Sequence, residues 1–122
     1  MNNSNDTILR RVGDSEAFYF CRTLGNFTGQ KANSLEEFLQ KINVIEQESL
    51  EFHLDRQDFE KWLKSTIGDS KLATDMRRLR KEKLSGNDLR NLMLQLVSDR
   101  LKELTNVPES VIKTKKKKTR PT

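Results

Sequence analysis

The densest pattern of apolar and polar positions lies in residues 49–73 and predicts two helices joined by a tight corner. In the first helix, apolar residues recur at i, i+3, i+4 and i+8, which is the spacing of one buried face. That face consists of Phe59, Trp62, Leu63 and Ile67. We expect Asp55 to cap the start of this helix, Gly68 to end it in the left-handed conformation, and Asp69 to cap the next helix. The second helix has its own apolar stripe, formed by Leu72, Ala73, Met76 and Leu79.

Two further helices are predicted before this corner. Over residues 34–47, Ser34 and Glu37 form a capping box that satisfies free amides of the first turn. The apolar face of this helix is Leu35, Phe38, Leu39, Ile42 and Ile45. Residues 48–54 fit two patterns, because their apolar positions alternate as in a strand and also suit a short helix. We favour the helix, since a strand between two helices would need a sheet partner that the chain hardly offers.

The last helix has the clearest stripe of all. It follows a linker in which Ser85 is placed to cap it and Asp88 lies in its first turn. The stripe is Leu89, Leu92, Met93, Leu96, Val97, Leu101 and Leu104. Asn106 and Pro108 are expected to end the helix, because proline cannot continue one.

At the N-terminal end, residues 17–22 form an aromatic-rich run bounded by polar residues, which predicts a strand. The turn-forming residues that follow are Gly25, Asn26 and Gly29. They indicate either a hairpin or a strand followed by a loop. Residues 1–15 are polar except for Ile8, Leu9 and Val12, so we expect a flexible arm that can dock this short apolar patch.

These elements predict a mainly α fold of the α+β class, with four to five helices and a short N-terminal strand or hairpin. Residues 16–108 are expected to form a single helical domain, and residues 109–122 a disordered basic tail. Apolar content of 34% and a mean hydropathy of −0.80 are low for a globular chain. We therefore expect a core of few residues and helices that are exposed over much of their surface. The longest apolar run, residues 17–21, is too short to span a bilayer, and residues 1–7 lack the apolar run of a signal peptide. We therefore expect a cytoplasmic protein without a membrane partner.

Positive charge is concentrated at the C-terminus. The net charge is +5, yet the first 112 residues hold 17 basic and 18 acidic residues. The basic residues of the tail are Lys113, Lys115, Lys116, Lys117, Lys118 and Arg120. Six like charges repel one another unless a polyanion is present, so the tail fits nucleic-acid phosphates, although a plain solubilising tail explains it equally well.

A second group of cations lies near the end of the helix that follows Asp69, and it includes Arg77, Arg78 and Lys81. Cations in this position interact favourably with the helix dipole. A solvated helix face is therefore the favoured explanation, and a phosphate-binding patch is the alternative.

No combination of residues predicts catalysis, a metal site or a cofactor. His53 is the only histidine, and a lone histidine beside apolar positions is most often a hydrogen-bonded packing residue. Cys21 is expected to be a small buried hydrophobe, and it has no second cysteine or histidine nearby with which to bind zinc. Asp55, Asp58 and Asp69 could be paired carboxylates for acid–base chemistry, but Asp55 and Asp69 have cap positions, and capping is the better explanation.

A series of short motifs runs in order through the domain. They are FYF, a TG turn at Thr28 and Gly29, KANSLEEF, SLEFH, DFEKWL, the pattern Gly68, Asp69, Leu72 and Ala73, and LR at Leu89 and Arg90. The series resembles an archaeal group of small domains, classified only as a domain of unknown function, that occur alone or attached to larger proteins. The resemblance covers about residues 16–105 and leaves the tail outside. It implies a shared fold and an archaeal origin, but no catalytic residue, cofactor or substrate.

The sequence supports two functions. The first is a non-enzymatic accessory protein whose helical domain docks on a partner while the tail, with Arg77, Arg78 and Lys81, holds nucleic-acid phosphates without reading their sequence. RNA is favoured over DNA, and a ribosome or other ribonucleoprotein would offer both surfaces. The alternative is a protein–protein adaptor or regulatory subunit whose tail only solubilises. An enzyme is the least favoured, and the oligomeric state is not predicted.

Overall fold

The computed structural model describes residues 3–105, which fold into six α-helices and a two-stranded antiparallel sheet. In chain order the α-helices and strands are α1 (Asn3–Leu9), β1 (Phe18–Cys21), β2 (Phe27–Ala32), α2 (Leu35–Val44), α3 (Gln47–Asp55), α4 (Asp58–Lys61), α5 (Ser70–Lys81) and α6 (Gly86–Thr105). A short 3-10 helix, Asp14–Glu16, precedes β1. The predicted mainly α fold with an N-terminal hairpin is confirmed. The helix beyond the expected four to five is α1, which lies in the arm that was expected to be flexible. The predicted tail, residues 109–122, lies outside the described residues.

Strands β1 and β2 form a hairpin, so the first of the two alternatives for this segment is the observed one. Phe18 lies opposite Ala32, and the register shifts after Phe20. Successive side chains of a strand point to opposite faces. Phe18 and Phe20 therefore enter the core, whereas Tyr19 lies on the outer face and is 41% exposed.

Residues 58–67 form one continuous helix, which we call the central helix, in which α4 leads into a π-helical segment, Trp62–Ile67. The predicted apolar face is buried: Phe59, Trp62, Leu63 and Ile67. The predicted capping role of Asp55 is wrong. Helix α3 continues through Asp55, and the chain turns at Gln57, whose φ of 68° is left-handed.

The predicted capping is confirmed at Gly68 and Asp69 and, with one change, at Ser34. Gly68 takes a left-handed φ of 91°, and the Asp69 side chain caps α5. Ser34 accepts the backbone N–H of Glu37, as a capping box requires. The Glu37 carboxylate, however, accepts the backbone N–H of Asn33 and not that of Ser34. The second hydrogen bond of the capping box is therefore made by the residue before the N-cap.

An aromatic cluster joins the hairpin to the helices. The ring of Phe18 stacks on Phe59, with centroids 5.1 Å apart, and meets Trp62 edge-on at 5.5 Å. Phe38 of α2 lies 5.4 Å from both Phe59 and Trp62. Strand β1 is thus held against α2 and the central helix by aromatic packing, which adds to the free energy of area burial.

The N-terminal arm and α6 complete the core. Ile8 and Val12 are buried, which confirms that the apolar patch of the arm docks on the domain. In α6 the buried residues are Leu89, Met93, Val97 and Leu104. Leu92 was predicted to be in the same stripe but is 37% exposed, because α6 packs on its neighbours through a narrower face. None of the helices within residues 3–105 has the length and apolar character needed to cross a membrane.

Candidate functional site

The predicted basic residues of α5 are exposed but differ in their partners. Arg77, Arg78 and Lys81 all lie on the protein surface. Arg78 forms an ion pair with Asp75 at 3.3 Å, whereas Arg77 and Lys81 have no acidic partner within the described residues. Arg77 and Lys81 are four residues apart, so their side chains extend from the same face of the helix. These two are therefore the cations of the predicted group that are available to an anion.

A groove of about 210 Å³ lies between the central helix and α5. Lys64 of the central helix and Arg77 of α5 line it. Two hydroxyl-bearing residues also line it, Ser70 and Thr74. The remaining charge in the groove, Glu60, is bound by Arg80 of α5 with an N–O distance of 2.6 Å. The groove thus presents two unpaired cations and hydroxyl donors, a combination that suits a phosphate group.

Lys64 was not among the predicted site residues. Lys64 stands apart from the cations of α5 in the sequence, and it approaches Arg77 only because the central helix packs beside α5. The predicted helical corner was the signal that could have found it, since such a corner places two consecutive helices side by side.

The predicted nucleic-acid-binding residues of the tail lie outside the described residues. They are Lys113, Lys115, Lys116, Lys117, Lys118 and Arg120. Of the predicted set, the structure therefore places only the cations of α5.

The buried His53 links three elements of the fold. Its Nε2 atom accepts a hydrogen bond from the backbone N–H of Cys21 in β1 at 2.8 Å, and its Nδ1 lies 2.8 Å from Oδ2 of Asp58 in α4. Because Nε2 is an acceptor, the proton of the neutral imidazole is on Nδ1 and is donated to Asp58. Burial lowers the pKa of His53 below its ordinary value, and the Asp58 carboxylate opposes this effect.

This geometry leaves His53 without a free nitrogen for a substrate proton or a metal ion. The ring also meets Phe18 edge-on at 4.8 Å. The prediction of a hydrogen-bonded packing residue is confirmed by these contacts. Asp58 is also bound by Arg56 at 3.1 Å, so its carboxylate serves an ion-pair network and not a helix cap. Cys21 is half-buried, not fully buried as predicted.

Among residues 3–105, no group of three His, Cys, Asp or Glu side chains is placed to share a metal ion.

Comparisons with other proteins add a family to this description. No curated protein and no solved structure matches the chain. A family model matches residues 13–116. This match includes Lys113, Lys115 and Lys116 of the tail, which was expected to lie outside the resemblance. The chain therefore belongs to DUF5752, a family of unknown function.

Proposed function

We propose that the protein is a non-enzymatic accessory binding protein, which contacts RNA phosphates through unpaired cations while its helical domain docks on a partner. The phosphates are held by Lys64, Arg77 and Lys81 and by the lysine-rich tail, without any reading of base sequence. A ribosome or another ribonucleoprotein of the cytoplasm offers both the phosphate surface and the protein surface.

The observation that supports this proposal is that two cations without an acidic partner line the same groove. Other cations of the domain are paired with acids, for example Lys71 with Glu103 at 2.9 Å and Arg22 with Glu46 at 2.7 Å. Lys61 and Lys102 also have no ion pair among the described residues, but they lie outside this groove. Lys64 and Arg77 both line the groove between the central helix and α5, and neither has such a partner in the described residues. Neighbouring unpaired cations repel each other in the free protein, and a polyanion relieves that repulsion.

The salt dependence of binding tests the proposal. The full chain and a version that lacks residues 113–122 are titrated onto a labelled single-stranded RNA and onto a DNA duplex at several salt concentrations. If each of the six tail cations neutralises one phosphate, the tail alone contributes a log–log slope of about −4 on single strands and about −5 on duplex DNA. Participation of Lys64, Arg77 and Lys81 steepens the slope on single strands by about 2. Absence of binding by both versions at low salt would overturn the proposal.

Two double variants with the same change in net charge separate the groove from the overall charge. Lys64→Gln with Arg77→Gln removes two cations from the groove. Lys61→Gln with Lys102→Gln removes two exposed cations that lie outside it. We expect the first pair to flatten the slope on single-stranded RNA by about 1.4. We expect the second pair to leave the slope unchanged, and equal effects of the two pairs would show that the groove is not the binding site.

A second function, a protein–protein adaptor whose tail only solubilises, is favoured by a different observation. Tyr19 and Phe27 are exposed on the outer face of the hairpin, with ring centroids 5.6 Å apart. Leu24, between the two strands, is also exposed. Contiguous exposed apolar side chains are typical of protein-binding surfaces. If the full chain binds neither RNA nor DNA at low salt, this second function is the better supported one.

A further inference from the structure

A groove of about 480 Å³ runs beside the outer edge of β1, the edge that does not face β2. Residues 17–19 line one side of it, and the central helix lines the other with Lys61, Trp62 and Thr66. His53 also lines the groove, at the end where it bonds to β1. The groove therefore lies between a strand edge and an aromatic helix face, a different place from the groove of Lys64 and Arg77.

The edge of β1 offers unused backbone groups to this groove. The N–H of Cys21 bonds to His53, away from β2, whereas the N–H of Arg22 bonds to the carbonyl oxygen of Asn26 on the β2 side. Backbone groups of alternate residues in a strand point to the same side. The N–H and C=O of Tyr19 therefore point away from β2 as well, and outside the sheet no backbone hydrogen bond to them is found in the part of the chain that the structure describes.

The lining of the groove holds one lysine, Lys61, and one acid, Asp58. Lys61 is exposed and has no ion pair within residues 3–105. Arg10 donates hydrogen bonds to the carbonyl oxygens of Thr66 and Ile67 at 2.6 and 3.2 Å, so its charge lies at the Thr66 end of the groove without a carboxylate partner. The acid in the lining, Asp58, is already engaged by His53 and by an arginine. The groove is therefore complementary to a negatively charged ligand.

From these contacts we infer that the groove binds an extended, acidic segment of a partner protein. The segment pairs with the N–H and C=O of Tyr19 as a third strand and places a carboxylate against Lys61. His53 blocks the N–H of Cys21, so pairing is limited to residues 17–19, about 10 Å of strand. The protein's own tail does not fit as the occupant, because its lysines would repel Lys61 and Arg10.

The first test needs no ligand. Amide hydrogen exchange of the full chain is followed by NMR for the residues of β1. We expect the amide of Tyr19 to exchange rapidly, because it points into the open groove, and the amides of Phe18 and Phe20 to be protected by pairing with β2. Protection of the Tyr19 amide in the free monomer would overturn the inference. Concentration-dependent protection together with dimer formation would do the same, by showing that a second copy occupies the edge.

The second test uses a displayed library of random linear dodecapeptides, selected on the full chain. We expect the enriched peptides to be acidic and rich in strand-forming residues, and to protect the Tyr19 amide when bound. Lys61→Glu should weaken their binding about tenfold or more, because the variant opposes like charges. Lys64→Glu, the same change one turn further along the central helix, should leave peptide affinity unaltered. No enrichment, basic peptides, or equal effects of the two variants would overturn the inference.

These outcomes are independent of the RNA proposal. Lys64→Glu should weaken RNA binding and leave peptide binding unchanged, and Lys61→Glu should do the reverse.

The variant Ser65→Phe tests the groove beside β1 by blocking it. It places a large side chain at an exposed position of the lining, away from the core. Retention of full peptide affinity by Ser65→Phe would show that the peptides bind elsewhere.

Discussion

The imidazole of His53 accepts the backbone N–H of Cys21 at 2.8 Å, so a helix side chain takes the place of a neighbouring strand at the end of β1. The same ring donates its Nδ1 proton to Asp58 at the start of the central helix. One neutral side chain thereby connects the hairpin, α3 and the central helix. Protonation of Nε2 would turn this acceptor into a donor facing the donor of Cys21.

Stability should therefore decrease as the pH falls below neutrality. His53 has a lowered pKa in the folded protein, because burial disfavours the charged imidazole, and its ordinary value in the unfolded chain is 6.5. Below about pH 6.5 the unfolded state binds a proton that the native state does not bind. The free energy of unfolding then falls as the pH is lowered from the unfolded pKa to the native one.

Urea unfolding between pH 5 and 8 measures this effect, with His53→Gln as the control. The variant lacks the only histidine of the chain, so its free energy of unfolding should vary less over this range. Parallel curves for the two proteins would contradict the expected contribution of His53.

Asp69→Ala should destabilise the protein by more than a helix cap alone. One carboxylate oxygen accepts the N–H of Leu72 at 3.1 Å, and the other lies 2.8 Å from Nε of Arg100. The Asp69 side chain is fully buried, so its loss removes the cap and leaves a largely buried guanidinium with only Glu103. We expect a cost of about 3 kcal/mol in denaturant unfolding.

Ser34→Ala is the matched control for Asp69→Ala. It removes the side-chain cap of α2, in which the serine hydroxyl accepts the N–H of Glu37. Unlike the Asp69 carboxylate, this hydroxyl is uncharged and forms no ion pair. We expect it to cost about 1 kcal/mol. Equal costs for the two substitutions would show that the bond between Asp69 and Arg100 contributes nothing measurable.

Trp62→Ala should cost about 3 to 5 kcal/mol, as other truncations of buried aromatic residues do. The indole packs on Phe18 and Phe38, and its Nε1–H donates to the carbonyl oxygen of Glu16 at 2.8 Å. Trp62→Phe keeps most of the packing and loses the hydrogen bond, so we expect a smaller cost, about 1 to 2 kcal/mol. A loss below about 1 kcal/mol for the alanine variant would be inconsistent with a packing role.

Ser49→Ala should stabilise the protein. Ser49 is fully buried in α3, and its hydroxyl has no hydrogen-bond partner among the described residues. Alanine removes the unsatisfied oxygen and has the higher helix propensity, so we expect a gain of about 1 kcal/mol. Thermal and urea unfolding measure it, and destabilisation by the substitution would show that the hydroxyl has a partner.

The sequence by itself determined the helices around the corner at Gly68, the capping by Asp69 and the burial of Trp62. Periodicity and capping involve residues within a few positions of one another, so they can be recognised without the fold. The prediction that Asp55 caps a helix was wrong, because α3 extends through Asp55. The end of α3 depends on contacts across the turn, where Asp58 binds His53 and Arg56.

Only the tertiary structure decided which charged and polar groups are satisfied. It paired Arg80 with Glu60, twenty residues away, and left Arg77 beside Lys64 without an acid in the described residues. It also placed Tyr19 of β1 in the lining of an open groove. The partners of long side chains and strand edges are set by helix packing, because packing brings together residues that are distant in the chain. A pattern of neighbouring residues therefore cannot predict these contacts.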